Sequence, residues 1–178
     1  MSVTTEPAGD LLERTRRTAH PSCIVCGRAD ECGLGLRFSV QQDGGVVAHF
    51  ACRRHLQGYE GILHGGIVSA LLDGAMTNCL FAHGITAVTG EMTIRFRHPI
   101  RLRTAVTVCG RIARSQWPLH VAEAQIVQDG RVMAKARGKF MERSQQAGDP
   151  PPPTGWPQRP AQAPPAGTPR PAPNRGDG

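Results

Sequence analysis

His64-Gly65-Gly66 opens an apolar stretch, Ile67 to Ala82, whose only charged residue is Asp73. Two glycines at a helix start leave the free N–H groups there uncovered by any Cβ, so a substrate carbonyl can come close to them. Those N–H groups, with the positive end of the helix dipole, can polarise a carbonyl or hold an oxyanion. A carboxylate two turns further along an apolar helix is costly unless it is used or paired. Gly66 and Asp73 are seven positions apart. That is roughly 10 Å along the axis at about 1.5 Å per residue, too far for one bound carbonyl to touch both. A site that uses both must take the glycines from one chain and Asp73 from a symmetry-related second copy. The competing reading is an ordinary helix start with a buried, satisfied Asp.

Metal chemistry is the other possibility among the reactive side chains. The chain has six cysteines. Cys79 and Cys109 fall in apolar patterns and belong in a core. Cys23-x2-Cys26 has knuckle spacing and Cys52-x2-His55 supplies a second pair, so a tetrahedral zinc site is conceivable, with Cys32 as a further ligand; a tight packed turn competes with it. The N-terminus carries Glu6, Asp10 and Glu13 among arginines before any apolar run. That is not a secretory signal, and the expectation is a cytoplasmic protein without a disulfide framework.

The net charge of +7 raises nucleic acid as a partner, but only 4% of residues are aromatic and no basic helix or stacking platform is present, so none is expected. No acidic residue separates Glu91 from Glu123, a window that holds Arg95, Arg97, Arg101, Arg103, Arg111 and Arg114. Such a window suits a phosphorylated small molecule, or is a solvated strand face. The stretch from Ile62 to Ala82 is broken by His64, Asp73 and Asn78, and is expected as the buried helix of a soluble fold with no membrane partner.

These residues must be positioned by one domain of ordinary size. Residues 1–20 form a charged, poorly ordered lead with a single helical turn near Leu11 to Arg17. Alternation at Leu36, Phe38 and Val40, the pair Gly44-Gly45, and the run Val46 to Ala51 make a strand, turn and strand. A loop with Gly58 and Gly61 precedes the long helix. Strands follow over Ala87 to Arg97, Ala105 to Arg114, Leu119 to Val127 and Arg131 to Met141, with Asp129-Gly130 as a hairpin signal. The ordered domain is residues 21–143. Proline dominates residues 144–178, a tail expected to be disordered. Two strands, one helix and a meander imply an α+β fold in which an antiparallel sheet wraps one long central helix.

Several segments carry a family resemblance: Cys23-Ile-Val-Cys-Gly, Gly33-Leu-Gly-Leu-Arg-Phe, the run from Leu56 through His64-Gly65-Gly66 to Met76, and Ala87 to Ile100. Together they resemble hotdog-fold acyl-CoA thioesterases of the phenylacetate-degradation (PaaI-like) type, from Ser22 to Glu142. The resemblance implies a homodimer, or a dimer of dimers, with each site built from the His-Gly-Gly turn of one chain and the Asp of the other. It implies Asp73 as nucleophile or general base, Gly65 and Gly66 as carbonyl polarisers, His64 as an orienting group, and Thr89 or Thr77 as a hydroxyl holding the water. Glu91 departs from the Asn or Ser of several members; facing the site, it would put two carboxylates together. Arg95, Arg97 and Arg101 would hold the phosphates of coenzyme A, which is part of the substrate, and no separate cofactor is implied. Met76, Leu80 and Phe81 would shape the acyl pocket. Two other readings are a non-catalytic acyl-CoA-binding or regulatory module and a hydratase, although Asn78 stands where the hydratase motif has a His.

Overall fold

The structure is a computed structural model that describes residues 8–27 and 33–142; the proline-dominated tail and Cys32 lie outside the described residues. The elements run α1 (Ala8–Ala19), β1 (Ser39–Val40), β2 (Val46–Ala51), α2 (Gly65–Ala82), β3 (Ala87–Phe96), β4 (Ala105–Gln116), β5 (Leu119–Gln128) and β6 (Arg131–Glu142). The six strands form one antiparallel sheet in the order β1-β2-β4-β5-β6-β3. Helix α2 packs on one face of it. This is the α+β hotdog arrangement.

The strands form where alternation places small or branched apolar residues on the helix side. Val106 and Val108 of β4, Ala122, Ala124 and Ile126 of β5, and Ala134, Ala136 and Phe140 of β6 are all buried. So many alanines opposite α2 let the helix approach closely. At Gly110 the approach is backbone to backbone: a Cβ there would lie 2.5 Å from the carbonyl oxygen of Ala75. On the other side of the helix, a Cβ at Gly74 would lie 2.6 Å from Val25 Cγ1. The hairpin at Asp129-Gly130 has φ of 50° and 74° at its two residues, the positive pair that a tight two-residue turn requires.

Two expectations change. Residues 8–19 are not a poorly ordered lead with one turn but the 12-residue helix α1, whose Leu12 is buried in a cluster with Cys79, Phe81 and Ala82 of α2. Burial of that one leucine against a neighbouring helix supplies what the charged sequence lacks by itself. The first strand shrinks to Ser39–Val40, and Leu36 sits instead in the core beside the turn of Cys23 and Cys26, its N–H bonded to the carbonyl of Val25. Helix α2 is long and apolar enough to cross a membrane, and 67% of it is buried within this fold.

Candidate active site

The start of α2 is delivered by an anchored loop. The His64 N–H bonds the carbonyl of Leu56 and the Leu63 N–H bonds that of Ile100. His64 is the N-cap, extended at φ −60° and ψ 135°. Its carbonyl takes the N–H groups of Ile67 and Val68, and its Nδ1 accepts from the Gly66 N–H at 2.9 Å. The imidazole folds back over Gly66, where a Cβ would lie 3.0 Å from Nδ1, and a Cβ on Gly58 would lie 3.1 Å from His64 Cδ2. Both glycines make room for one ring.

This arrangement divides the two glycines that the sequence offered together. Gly66 is not a free carbonyl polariser, because His64 uses its N–H. The Gly65 N–H has no acceptor among the described residues, and it is the open end of the helix dipole. Gly65 lines a surface cavity of about 360 Å³ with Tyr59, Phe96, Arg97, His98 and Pro99. Of these wall residues the sequence singled out only Arg97. Tyr59 and Phe96, 83% and 55% exposed, are the signal that was missed: large aromatics left in solvent beside a helix start.

Asp73 is partly buried, and its Oδ1 accepts a 2.8 Å hydrogen bond from Thr89 Oγ1. Among the described residues nothing donates to Oδ2, which leaves that oxygen open to a water or substrate. Thr89 pairs in register with the buried Phe140, which puts it on the helix side of β3. Glu91 does not share the site. The register shifts between Thr89 and Glu91, so Glu91 pairs with Lys139 rather than with a buried residue of β6, and its carboxylate takes the Lys139 ammonium at 2.7 Å. The bulge sends two residues that a regular strand would put on one face to opposite faces.

Thr77 is buried, and among the described residues no hydrogen bond joins it to Asp73. Met76 is a core residue with no exposed surface and lies against β6, so it does not line the cavity. Leu80 and Phe81 are likewise buried. Arg95, Lys135 and Arg137 line a second hollow of about 750 Å³ on the outer sheet face. Arg97 borders both hollows. Arg101 is exposed and lines neither; its peptide is held by Gln128, whose Oε1 accepts the Arg101 N–H at 2.9 Å. Arg111 and Arg137 are occupied by Glu123, at 2.6 Å and 2.5 Å.

The zinc reading is not supported: among the described residues no three His, Cys, Asp or Glu side chains gather as a metal site, so Cys23, Cys26, Cys52 and His55 do not converge. The Cys26 thiol, packed against α2, accepts the Asn78 amide at 3.2 Å. Burial pushes Cys26 and Cys52 up to about 11, which keeps both as inert thiols. The turn of Cys23 and Cys26 is closed by the Gly27 N–H on the Cys23 carbonyl at 2.6 Å.

Residues 60–135 match the family model of the thioesterase superfamily. That stretch, under half of the chain, is similar to the thioesterase superfamily. An acyl-coenzyme A thioesterase, THEM4, of Rattus norvegicus is 30% identical over 90 residues, a stretch that is 49% of this chain and 39% of that protein. The chain therefore spans well under half the length of this relative. The PaaI protein of E. coli has the same hotdog fold, with a TM-score of 0.65 at 19% identity, covering 77% of this chain and 96% of that one. A Streptococcus mutans protein solved bound to acetyl CoA matches at a TM-score of 0.57 and 19% identity, over 61% of this chain and 88% of its own.

Strand β3 lies at one edge of the sheet. Among the described residues it pairs only with β6, and Val88 and Phe96 on it are 49% and 55% exposed. A ten-residue strand with one backbone edge unpaired is a ready partner for another strand.

Proposed function

We propose that this protein is an acyl-CoA thioesterase that hydrolyses its thioester in a site shared between two copies of the chain. The observation that carries the reading is the separation of two unspent groups on one helix: the free N–H of Gly65 and the Thr89-anchored carboxylate of Asp73. Eight residues apart, they are about 12 Å from each other along the axis. Pairing of the open β3 edge with its symmetry mate would continue the sheet and bring two α2 helices side by side, each Gly65 toward the Asp73 of the other.

In that arrangement the Gly65 N–H and the helix dipole polarise the thioester carbonyl. Asp73, oriented through Oδ1 by Thr89, uses its other oxygen as general base for water or as nucleophile. A thiolate is a good leaving group, so no strong acid is required. Arg97, on the rim of the cavity, is the arginine best placed for the phosphates of coenzyme A, whereas Arg101 borders no hollow. The relatives named as acyl-CoA thioesterases and the neighbour bound to acetyl CoA support this substrate class.

The test is thiol release from a panel of acyl-CoA thioesters. Asp73→Asn should keep the fold and lower kcat by about a hundredfold or more, as loss of a general base does. Mixing inactive Asp73→Asn chains with inactive Gly65→Pro chains should restore activity. Random exchange makes about half of the dimers mixed, each with one intact site of two, so about one quarter of wild-type activity should return. No recovery after demonstrated subunit exchange would place the whole mechanism within one chain.

A further inference from the structure

At the other end of the sheet from the Gly65 cavity, three side chains from three strands converge. Ser115 of β4 and His120 of β5 pair in register across their hairpin, and Ser115 Oγ lies 2.9 Å from His120 Nδ1. On the opposite side of the ring, His120 Nε2 lies 3.0 Å from Glu142 Oε2 of β6. A carboxylate only accepts, so Nε2 carries the proton and donates to Glu142. In the neutral ring Nδ1 then keeps its lone pair, and the Ser115 hydroxyl donates to it.

His120 is 3% exposed, packed where it cannot swing out, whereas Ser115 is exposed. A hydroxyl is a weak nucleophile until a base removes its proton. A neutral imidazole within hydrogen-bond reach, held in one tautomer by a carboxylate, is the arrangement that removes it. The cluster is separate from Asp73, because the buried Phe140 stands between His120 and Thr89 in the same cross-strand row.

We propose that Ser115 is an acyl-accepting nucleophile, with His120 as its general base and Glu142 as the positioning residue, acting on small carboxylic esters. Ser115 Oγ bonds to the acyl carbon while its proton passes to Nδ1. The bond from that carbon to the ester oxygen then breaks, and the proton leaves Nδ1 with the departing alcohol. Water repeats the exchange, releasing the acid and regenerating the serine.

The test uses the full-length chain with a fluorophosphonate probe, which traps base-activated serines, and with p-nitrophenyl acetate. Peptide mass spectrometry should find the phosphonyl adduct, and at short times the acetyl group, on Ser115. His120→Gln and Glu142→Gln should each slow the labelling by about a hundredfold or more. Their thermal midpoints, measured in parallel, confirm that the fold survives; Glu142 is 30% exposed, and its amide isostere is the gentler change. Absence of a wild-type adduct under conditions that label a known serine hydrolase overturns the proposal. So does an adduct elsewhere, or labelling of Ser115 at an unchanged rate in folded Glu142→Gln, which would leave the triad a purely structural hydrogen-bond chain.

Discussion

Replacing Gly65 by proline isolates a single N–H. Proline is normally ruinous in a helix, but Gly65 is the first helical residue, where the N–H has no intrahelical acceptor and a fixed φ near −65° is already helical. The preceding residue must be extended to tolerate proline, and His64 is, at φ −60° and ψ 135°. Space is available too, since a Cβ at Gly65 would meet only Phe96 Cε1, at 3.9 Å. Folding stability should therefore change by no more than about 0.5 kcal/mol. If the Gly65 N–H polarises the thioester carbonyl, its loss should lower kcat by roughly 10²–10³, or about 3–4 kcal/mol of transition-state stabilisation. Gly65→Ala is the control: it adds a methyl but keeps the N–H, and should stay within a few-fold of wild type. Thiol release and a thermal melt, run on all three proteins, decide the matter. A folded Gly65→Pro enzyme at wild-type rate, or an equal collapse of Gly65→Ala, would refute the assignment of this one group.

Gly74→Ala would drive a Cβ to 2.6 Å from Val25 Cγ1 and should destabilise by about 1–3 kcal/mol. Denaturant melts should show the double variant with Val25→Ala more stable than the two single losses summed, by at least about 0.5 kcal/mol; strict additivity would deny the contact. Hydrogen bonding to Arg111, then to Arg137, holds the Glu123 carboxyl below its ordinary range. The folded value is the lower one, so the stabilisation is present above the ordinary carboxylate range and is lost as pH falls through the folded value. The two arginines are largely exposed, so Glu123→Gln should cost only about 0.2–1 kcal/mol per pair near neutral pH, and the gap to wild type should close as pH falls below the ordinary carboxylate range. Arg97→Ala should raise KM for acyl-CoA more than it lowers kcat, with the effect shrinking in high salt, and should leave a short acyl thioester without the nucleotide unaffected. Equal losses on both substrates would make Arg97 structural.

Much of this architecture was legible in the chain because alternation in β4, β5 and β6 matches one buried face, and because Asp129-Gly130 fixes the register of the last hairpin. Thr89 and Asp73 were both candidate site residues in the sequence, and the fold joins them by one hydrogen bond. What was hidden depended on local geometry that side-chain types do not encode. The bulge beside Gly90 turned Glu91 away from Thr89. The choice between two adjacent N–H groups rested on how the His64 ring folds. Helix α2 is buried almost all round in its second half, so no polar stripe told which side of it Thr77 or Met76 would face. Helix α1 shows in the sequence only as a single turn near Leu11 to Arg17, because its burial is set by a surface of α2 far away in sequence.

The contact between Gly110 and the Ala75 carbonyl has a consequence for how tunable this site is. The depth at which α2 seats in the sheet is fixed by main chain against main chain, a hard stop rather than a cushion of side chains. Volume-conserving exchanges among Leu71, Leu72 and Leu80 can reshape the interior while the helix stays at its stop, leaving the 2.8 Å bond between Asp73 and Thr89 in place. A single methyl at Gly110 acts otherwise: it lifts the helix as a rigid lever and with it the carboxylate two residues before Ala75. The core can therefore drift under mutation while the spacing of Asp73 from the strand that orients it is held at a gauge set by one missing side chain.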